Sequence, residues 1–167
     1  TEVKVRGASA SGSHCLYGVG AVNACLADRF SRGGCRVVGH GHTAGPLANS
    51  FSTCPPYLGP DAGTDLLVLC HTDTVFPEGE AAKRPFTVSE DGSRVTGPGV
   101  ADMKSGCLFT LYAAEEMAAK PDFSGRIGMF FNGQHEVGGS IGTRELIEDY
   151  SRKSTFVLAT ECVRANG

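Results

Sequence analysis

Six histidine and carboxylate side chains in this sequence stand where a strand is expected to end or a helix to begin. They are His71, Asp73, Asp102, His135, Glu136 and Glu161. Imidazole and carboxylate groups together suit zinc, cobalt or manganese, and carboxylates can bridge two ions about 3.5–4 Å apart. Any one of these residues, taken alone, is more often a solvated loop charge or a helix cap. As a set they raise the hypothesis of a metal site.

The first pair follows an apolar run at residues 66–70 that shows no alternation of polar and apolar side chains. Such a run is typical of a strand buried on both faces. His71 and Asp73 are two residues apart, so in extended chain their side chains point the same way. We therefore expect His71 to bind a metal and the Asp73 carboxylate to lie behind the imidazole and fix its tautomer.

Alternating strands and helices would position these residues. Strands are predicted near residues 35–38, 66–70, 126–131 and 155–160, and helices near 19–30, 105–119 and 142–150, with a hairpin around Asp91. Residues 39–64 are rich in Gly, Pro and Ser and predict no continuous helix. The alternation predicts an α/β fold, a three-layer α/β/α sandwich with a mostly parallel mixed sheet. The carboxyl ends of parallel strands meet at one edge, where the six side chains could converge.

Composition narrows the classes of partner and compartment. The 167 residues suit one domain, with residues 1–15 as a polar terminal arm. A net charge of −3 gives no basic surface for nucleic acid or an anionic membrane. No apolar stretch approaches the length of a bilayer span, and the first residues lack the core of a signal peptide, so a cytoplasmic location is expected. The seven cysteines form no Cys-x-x-Cys pair and are expected to be reduced thiols.

Four segments resemble, in order, the motifs of the co-catalytic zinc metallopeptidases of the glutamate carboxypeptidase, acetylornithine deacetylase and aminoacylase family. The segments are residues 71–77 (HTDTVFP), 97–106 (GPGVADMKSG), 131–140 (FNGQHEVGGS) and 155–161 (TFVLATE). The resemblance covers roughly residues 16–167. It implies a zinc-exopeptidase-like catalytic domain that hydrolyses an amide bond of an N-acyl amino acid or a C-terminal peptide residue.

The resemblance also implies a role for each matched residue. His71 and Glu161 would hold one zinc, Glu136 the other, and Asp102 would bridge the two ions, with Asp73 supporting His71. Co²⁺ or Mn²⁺ could take the place of zinc. In the family, the glutamate before the second ligand is the general base that takes a proton from the attacking water and passes it to the leaving amine.

This sequence departs from the family pattern at that base, where it has His135. Three interpretations stay open. The imidazole can accept a proton near neutral pH and serve as an altered base, it can be an additional metal ligand, or hydrolysis is impaired and the protein is repurposed. Shifting the register by one residue would make Glu136 the base but Val137 a ligand, which is chemically impossible.

A second departure concerns length. Family members use a late histidine as the remaining ligand of the second zinc, after an inserted lid or dimerisation domain, and none of His14, His40 and His42 has the matching context. Residues 16–167 are therefore expected to be the first segment of a catalytic domain without that insert. The second zinc site would be incomplete unless a second chain or fragment supplies the missing part.

Other charged residues have simpler interpretations. His40 and His42 are expected to be solvent-exposed in a glycine-rich loop. Glu115 and Glu116 are expected on a solvated helix face. Arg144 could meet a substrate carboxylate, but a structural ion pair is the expectation.

Overall fold

The computed structural model describes residues 11–40, 49–54 and 63–162, with the backbone alone for residues 49–54. The elements in chain order are α1 (Leu16–Arg32), β1 (Arg36–His40), β2 (Asn49–Cys54), β3 (Thr64–His71), α2 (Glu80–Lys83), β4 (Thr87–Val88), β5 (Val95–Thr96), a π-helical turn (Val100–Lys104), α3 (Ser105–Ala118), β6 (Ile127–Asn132), a 3-10 turn (Ile141–Thr143), α4 (Arg144–Arg152) and β7 (Ser154–Ala159).

Five strands form one sheet in the order β1-β2-β6-β3-β7. The three strands β6, β3 and β7 are parallel, with Leu66 of β3 opposite Ile127 of β6 and Phe156 of β7. β2 is antiparallel to both β1 and β6. The predicted α/β fold with a mostly parallel mixed sheet is confirmed. β4 and β5 form the predicted hairpin around Asp91.

Helices cover both faces of this sheet. On one face, α1 and α3 pack on alternate residues of β3 and β6, such as Val68 and Met129. On the other face, Leu67 and Phe130 pack against side chains of α4. Since successive strand residues point to opposite faces, the unbroken apolar runs of β3 and β6 serve both cores.

The α1 helix follows its predicted period. Val19, Val22, Leu26 and Phe30 are all buried. In α3, Leu108, Leu111 and Ala114 are buried as expected, whereas Ala118 at the last position is exposed.

The sequence did not predict β2, because backbone pairing with β1 and β6 defines this strand and no apolar run marks it. Two expectations for this part of the chain are wrong. Glu115 is half-buried and accepts hydrogen bonds from Arg29 of α1 at 2.7 and 3.0 Å, so it joins two helices. Cys35 is disulfide-bonded, since cysteine spacing does not show which side chains face each other. Among the side chains that the structure describes, five cysteines form no disulfide, namely Cys15, Cys25, Cys70, Cys107 and Cys162.

Among the described strands, β7 is the edge strand next to β3. Its residues Phe156, Val157 and Leu158 are 69%, 46% and 51% exposed, which is unusual for an edge strand because an exposed apolar edge invites pairing with another chain. In the part of the chain that the structure describes, no helix combines the length and apolar character needed to cross a bilayer.

Candidate metal centre

The candidate site lies at the edge of the sheet where the parallel strands end. His71 is the last residue of β3 and pairs with Asn132, the last residue of β6. Beyond β7, the Thr160 N–H still donates to the Leu69 carbonyl at 3.3 Å, so the chain leaves the sheet beside His71. The π-helical turn before α3 brings Asp102 to the same edge. Four separate segments therefore converge, as parallel-strand topology predicts.

His71 is the buried centre of this arrangement, with 2% of its surface exposed. Its Nε2 lies 3.0 Å from Asp102 Oδ1 and 3.5 Å from Glu161 Oε1. Its Nδ1 lies 3.1 Å from the Asp73 carbonyl and 3.4 Å from Asp73 Oδ1. Burial alone would lower the pKa of His71, but the Asp73, Glu161 and Asp102 carboxylates outweigh it and raise the pKa to about 9. The site thus strongly favours positive charge at the imidazole.

The backbone of His71 is held from the start of α3. Its N–H donates to Met103 Sδ at 3.0 Å, and Cys107 Sγ donates to its carbonyl at 3.2 Å. Met103 is fully buried, and the peptide bond between Asp102 and Met103 is cis. The segment that carries Asp102 is therefore anchored directly to the strand end that carries His71.

Asp73 links three segments of the site. Its carboxylate is fully buried and accepts hydrogen bonds from Ser13 Oγ at 2.6 Å and from the backbone N–H groups of His135 at 3.1 Å and Glu136 at 3.0 Å. Burial would raise the pKa of Asp73, but His71 and these donors hold it below its usual range. Asp73 both supports the imidazole and positions the loop that carries Glu136.

Asn132 shapes the loop from residue 133 to residue 143. Its amide donates to Ser140 Oγ at 2.8 Å, and its Oδ1 accepts from the Gln134 N–H at 2.9 Å and from Thr143 Oγ1 at 3.2 Å. Ser140, with φ of 62°, also shares a hydrogen bond of 3.1 Å with His135 Nδ1. Since Asn132 ends β6, the loop is fixed to the sheet edge at both of its ends.

His135 lies against His71 with nearly parallel rings, their centroids 4.6 Å apart and inclined by 27°. Its Nε2 is 3.7 Å from Glu161 Oε1, and about half of its side chain is exposed. The neighbouring Glu136 is partly buried, and desolvation, together with the Asp102 carboxylate, raises its pKa. The loop therefore brings one imidazole and one carboxylate close to His71.

Glu161 and Cys162 complete the cluster from the end of β7. One ligand atom each of Asp102, Glu161 and Cys162 lies within 4.8 Å of the others, and desolvation with the Asp102 and Glu161 charges raises the pKa of the Cys162 thiol. Gly106 lets the start of α3 lie against the residues just before Cys162, since an added Cβ would lie 2.4 Å from the Thr160 carbonyl oxygen. The start of α3 and the segment after β7 approach each other more closely than any side chain at position 106 permits.

Three overlapping groups offer ligand atoms that lie within 4.8 Å of one another. They are His71, Asp102 and Glu136; His71, His135 and Glu161; and Asp102, Glu161 and Cys162. All four predicted ligands and His135 are thus brought together, with Asp73 behind His71. A buried imidazole facing several carboxylates is a donor set that fits zinc. Metal binding by these residues stays a prediction.

The remaining candidate residues lie elsewhere. His14 is exposed and belongs to none of the donor groups among the described residues. His40 is not in an exposed loop: it ends β1, is half-buried, and its Nε2 lies 2.7 Å from Tyr150 Oη. His42 lies outside the described residues. Arg144 forms the expected ion pair, with Glu148 at 2.8 Å.

Sequence reasoning missed two contributors. Ser13 reaches Asp73 across 60 positions, and no local pattern indicates such a contact. Cys162 is predicted only to be a reduced thiol, although its place directly after Glu161 is a visible signal.

Comparison with known proteins gives a sequence match over the segment that carries the site. The profile of "Peptidase family M20/M25/M40" matches residues 67–163, more than half of the chain. Carboxypeptidase G2 from Pseudomonas sp. (strain RS-16) is 39% identical over 102 residues, covering 59% of this chain and 23% of that protein. Succinyl-diaminopimelate desuccinylase from Legionella pneumophila (strain Lens) is 37% identical over 97 residues, covering 55% and 24%.

Solved structures share the fold over nearly the whole chain. Human carnosine dipeptidase 1 superposes with a TM-score of 0.73 at 18% identity, covering 98% of this chain and 38% of that one. The M20 family metallo-carboxypeptidase Sso-CP2 from Sulfolobus solfataricus gives 0.73 at 17%, covering 95% and 36%. The chain spans about a quarter of the length of the relatives it matches by sequence.

Proposed function

The chain belongs to peptidase family M20/M25/M40, and on that premise we propose that it carries the metal-binding face of a metal-dependent hydrolase. The reaction is cleavage of an amide bond by water. The observation that carries this proposal is the convergence of His71, Asp102, Glu136 and Glu161, whose ligand atoms fall in overlapping groups within 4.8 Å. These side chains come from four segments, so local sequence alone does not account for their meeting.

His71, Asp102 and Glu161 would hold one zinc ion, and Asp102 and Glu136 would offer ligands to a second. When bound, zinc polarises the scissile carbonyl and lowers the pKa of the attacking water. Asp73 keeps the His71 imidazole oriented through its contacts at Nδ1. Its carboxylate also accepts hydrogen bonds from the backbone N–H groups of His135 and Glu136, which hold Glu136 in place.

His135 takes the place of the general base in this proposal. In the tautomer that donates Nδ1–H to Ser140 Oγ, the lone pair of Nε2 lies on the side of Glu161 and is available to a water proton. The imidazole would hold that proton and release it to the leaving nitrogen. Stacking on His71 and the Ser140 contact restrict its rotation, which supports a positioned proton carrier.

The substrate class follows from the relatives by analogy. One is named a carboxypeptidase and another a succinyl-diaminopimelate desuccinylase. We infer an N-acyl amino acid or a peptide cut at its C-terminal residue as the small-molecule substrate. The exposed apolar side chains of β7 support a further partner, a second chain or fragment that covers this edge. A cytoplasmic location stays a prediction.

A second candidate is a hydrolase-like protein with impaired or repurposed activity. The observation that favours it is the grouping of His135 with His71 and Glu161 as possible metal ligands. An imidazole whose lone pair binds a metal cannot accept a proton from water. In that case the chain would bind metal through a site without a base.

Variants of His135 separate these functions. Zinc-loaded chain is assayed for hydrolysis of a panel of N-acyl amino acids and dipeptides. With His135 as the base, His135→Ala lowers kcat by about 10²–10⁴-fold and leaves the zinc affinity unchanged. A loss of zinc affinity in His135→Ala would identify a ligand instead, and activity that appears only in His135→Glu would identify an impaired hydrolase. His14→Ala is the control, because His14 is exposed and outside the donor groups.

A further inference from the structure

Cys162 places a sulfur atom beside two of the proposed ligands. We propose that the Cys162 thiolate is an additional ligand of the metal held by Asp102 and Glu161, which makes this centre a mixed nitrogen, oxygen and sulfur site. This inference rests on the proposed metal site and extends it by one residue. On binding, the sulfur–metal bond forms and the thiol proton leaves to solvent.

The distances permit ligation with small adjustments. Cys162 Sγ and one carboxylate oxygen each of Asp102 and Glu161 lie within 4.8 Å of one another. In a tetrahedral zinc site with Zn–S of about 2.3 Å and Zn–O of about 2.0–2.2 Å, sulfur and oxygen lie about 3.5 Å apart. Side-chain rotation of an exposed cysteine can supply the difference without moving the backbone.

The backbone before Cys162 is fixed from two sides. Thr160 donates its N–H to Leu69 at 3.3 Å, and its Oγ1 lies 3.2 Å from Cys70 Sγ. Gly106 lets α3 contact the Thr160 carbonyl directly. Two residues further along the chain, this fixed backbone places the exposed Cys162 thiol within 4.8 Å of a carboxylate oxygen of Asp102.

Cys162 is the one free cysteine of the described residues that belongs to a donor group. Cys70 and Cys107 are buried below the site, where Cys107 donates to the His71 carbonyl. Cys15 and Cys25 lie at and within α1 and take part in no donor group. These four cysteines serve as internal controls, because none of them forms a disulfide and all lie in the same chain.

A thiolate changes which metals the site prefers. Soft sulfur ligands favour zinc and other thiophilic ions, whereas sites of carboxylate and water suit manganese. We therefore expect zinc and cadmium to bind more tightly than manganese. This difference in affinity should be smaller in Cys162→Ser.

Cobalt reports the sulfur ligand by its spectrum. Titration of the chain with Co²⁺ should give visible d–d bands together with a near-ultraviolet sulfur-to-cobalt charge-transfer band. Cys162→Ser should lose the charge-transfer band and keep the d–d bands, and Cys25→Ser should keep both. The dissociation constant should rise at least about tenfold in Cys162→Ser, because even an outer partner of a ligand is worth roughly 10–100-fold in metal affinity.

Alkylation of the wild-type chain tests the same point without a substitution. Saturating zinc should protect Cys162 from iodoacetamide and leave Cys25 as reactive as in the metal-free chain. Cobalt binding without a charge-transfer band, or with one that persists in Cys162→Ser, would overturn the role of Cys162 while the metal site stands. Absence of any cobalt binding would overturn the proposed metal site together with it.

Discussion

Two strands end in histidine at the same edge of the sheet, yet their surroundings differ completely. β1 runs in the direction of β6, because each is antiparallel to β2, so His40 and His71 lie along one rim. His71 faces three carboxylates, which raise its pKa to about 9. His40 meets Tyr150 Oη and the Phe130 ring, and burial lowers its pKa.

The comparison shows that a position at the end of a strand does not by itself decide what a histidine does. The segments that follow β3, β6 and β7, and the turn before α3, each bring an acidic residue toward His71. At His40 the partner is Tyr150, near the end of α4. This helix packs on the face of the sheet opposite to α1 and α3. Charge from neighbouring segments therefore distinguishes the proposed ligand His71 from the packing histidine His40.

The largest stability effect is expected at Asp73. Asp73→Ala leaves the buried His71 imidazole and two loop N–H groups without their acceptor, which should cost about 3–5 kcal/mol of unfolding free energy. Tyr150→Phe removes the hydroxyl at His40 and should cost about 0.5–1.5 kcal/mol. Urea unfolding of both variants measures the contrast. Equal losses would show that the two histidines depend on their partners to the same degree.

Gly106 tests the contact between α3 and the segment after β7. Gly106→Ala places a Cβ 2.4 Å from the Thr160 carbonyl oxygen, and overpacking of this kind costs about 1–3 kcal/mol. Zinc affinity should fall as well, because Asp102 and Glu161 move apart. Gly33→Ala is the matched control, since its Cβ would meet nothing closer than 3.4 Å. Zinc affinity unchanged in both variants would contradict the proposed role of this contact.

The smallest effect is expected from the protonation of His40. Burial lowers its pKa below the ordinary value of 6.5, so the unfolded chain takes up a proton that the folded chain resists. Its contribution to stability is complete above the unfolded pKa and is lost as the pH falls below it. Between about pH 8 and about pH 5, the wild type should lose more unfolding free energy than His40→Gln. Parallel pH profiles for the two proteins would show that His40 titrates as it does in water.

Much of this fold can be predicted from sequence, for a physical reason. β3 and β6 are buried on both faces and therefore leave unbroken apolar runs, and α1 leaves a clear helical period. β2 leaves no such signal, because its place is defined by backbone pairing with two neighbours. The apolar residues of β7 predict an ordinary strand, although no neighbour covers them among the described residues.

The candidate site divides in the same way. The convergence of His71, Asp102, Glu136 and Glu161 could be expected because each lies after a predicted strand or before a predicted helix, and the resemblance to the metallopeptidase family implied their roles as ligands. The hydrogen bond from Ser13 to Asp73 and the approach of Cys162 to Asp102 depend on how distant segments pack. The Ser13 contact has no local pattern in the sequence, and the one signal for Cys162 is its place directly after Glu161.

Zinc content per chain tests the account most directly. Wild type, His71→Ala and His40→Ala are equilibrated with zinc, freed of excess metal by gel filtration and analysed by elemental mass spectrometry. A site with one buried imidazole and two carboxylates should retain about one zinc per chain in the wild type and in His40→Ala, and none in His71→Ala. A wild-type chain without zinc, or a His71→Ala chain that retains as much as His40→Ala, would contradict the assignment of this edge as a metal centre.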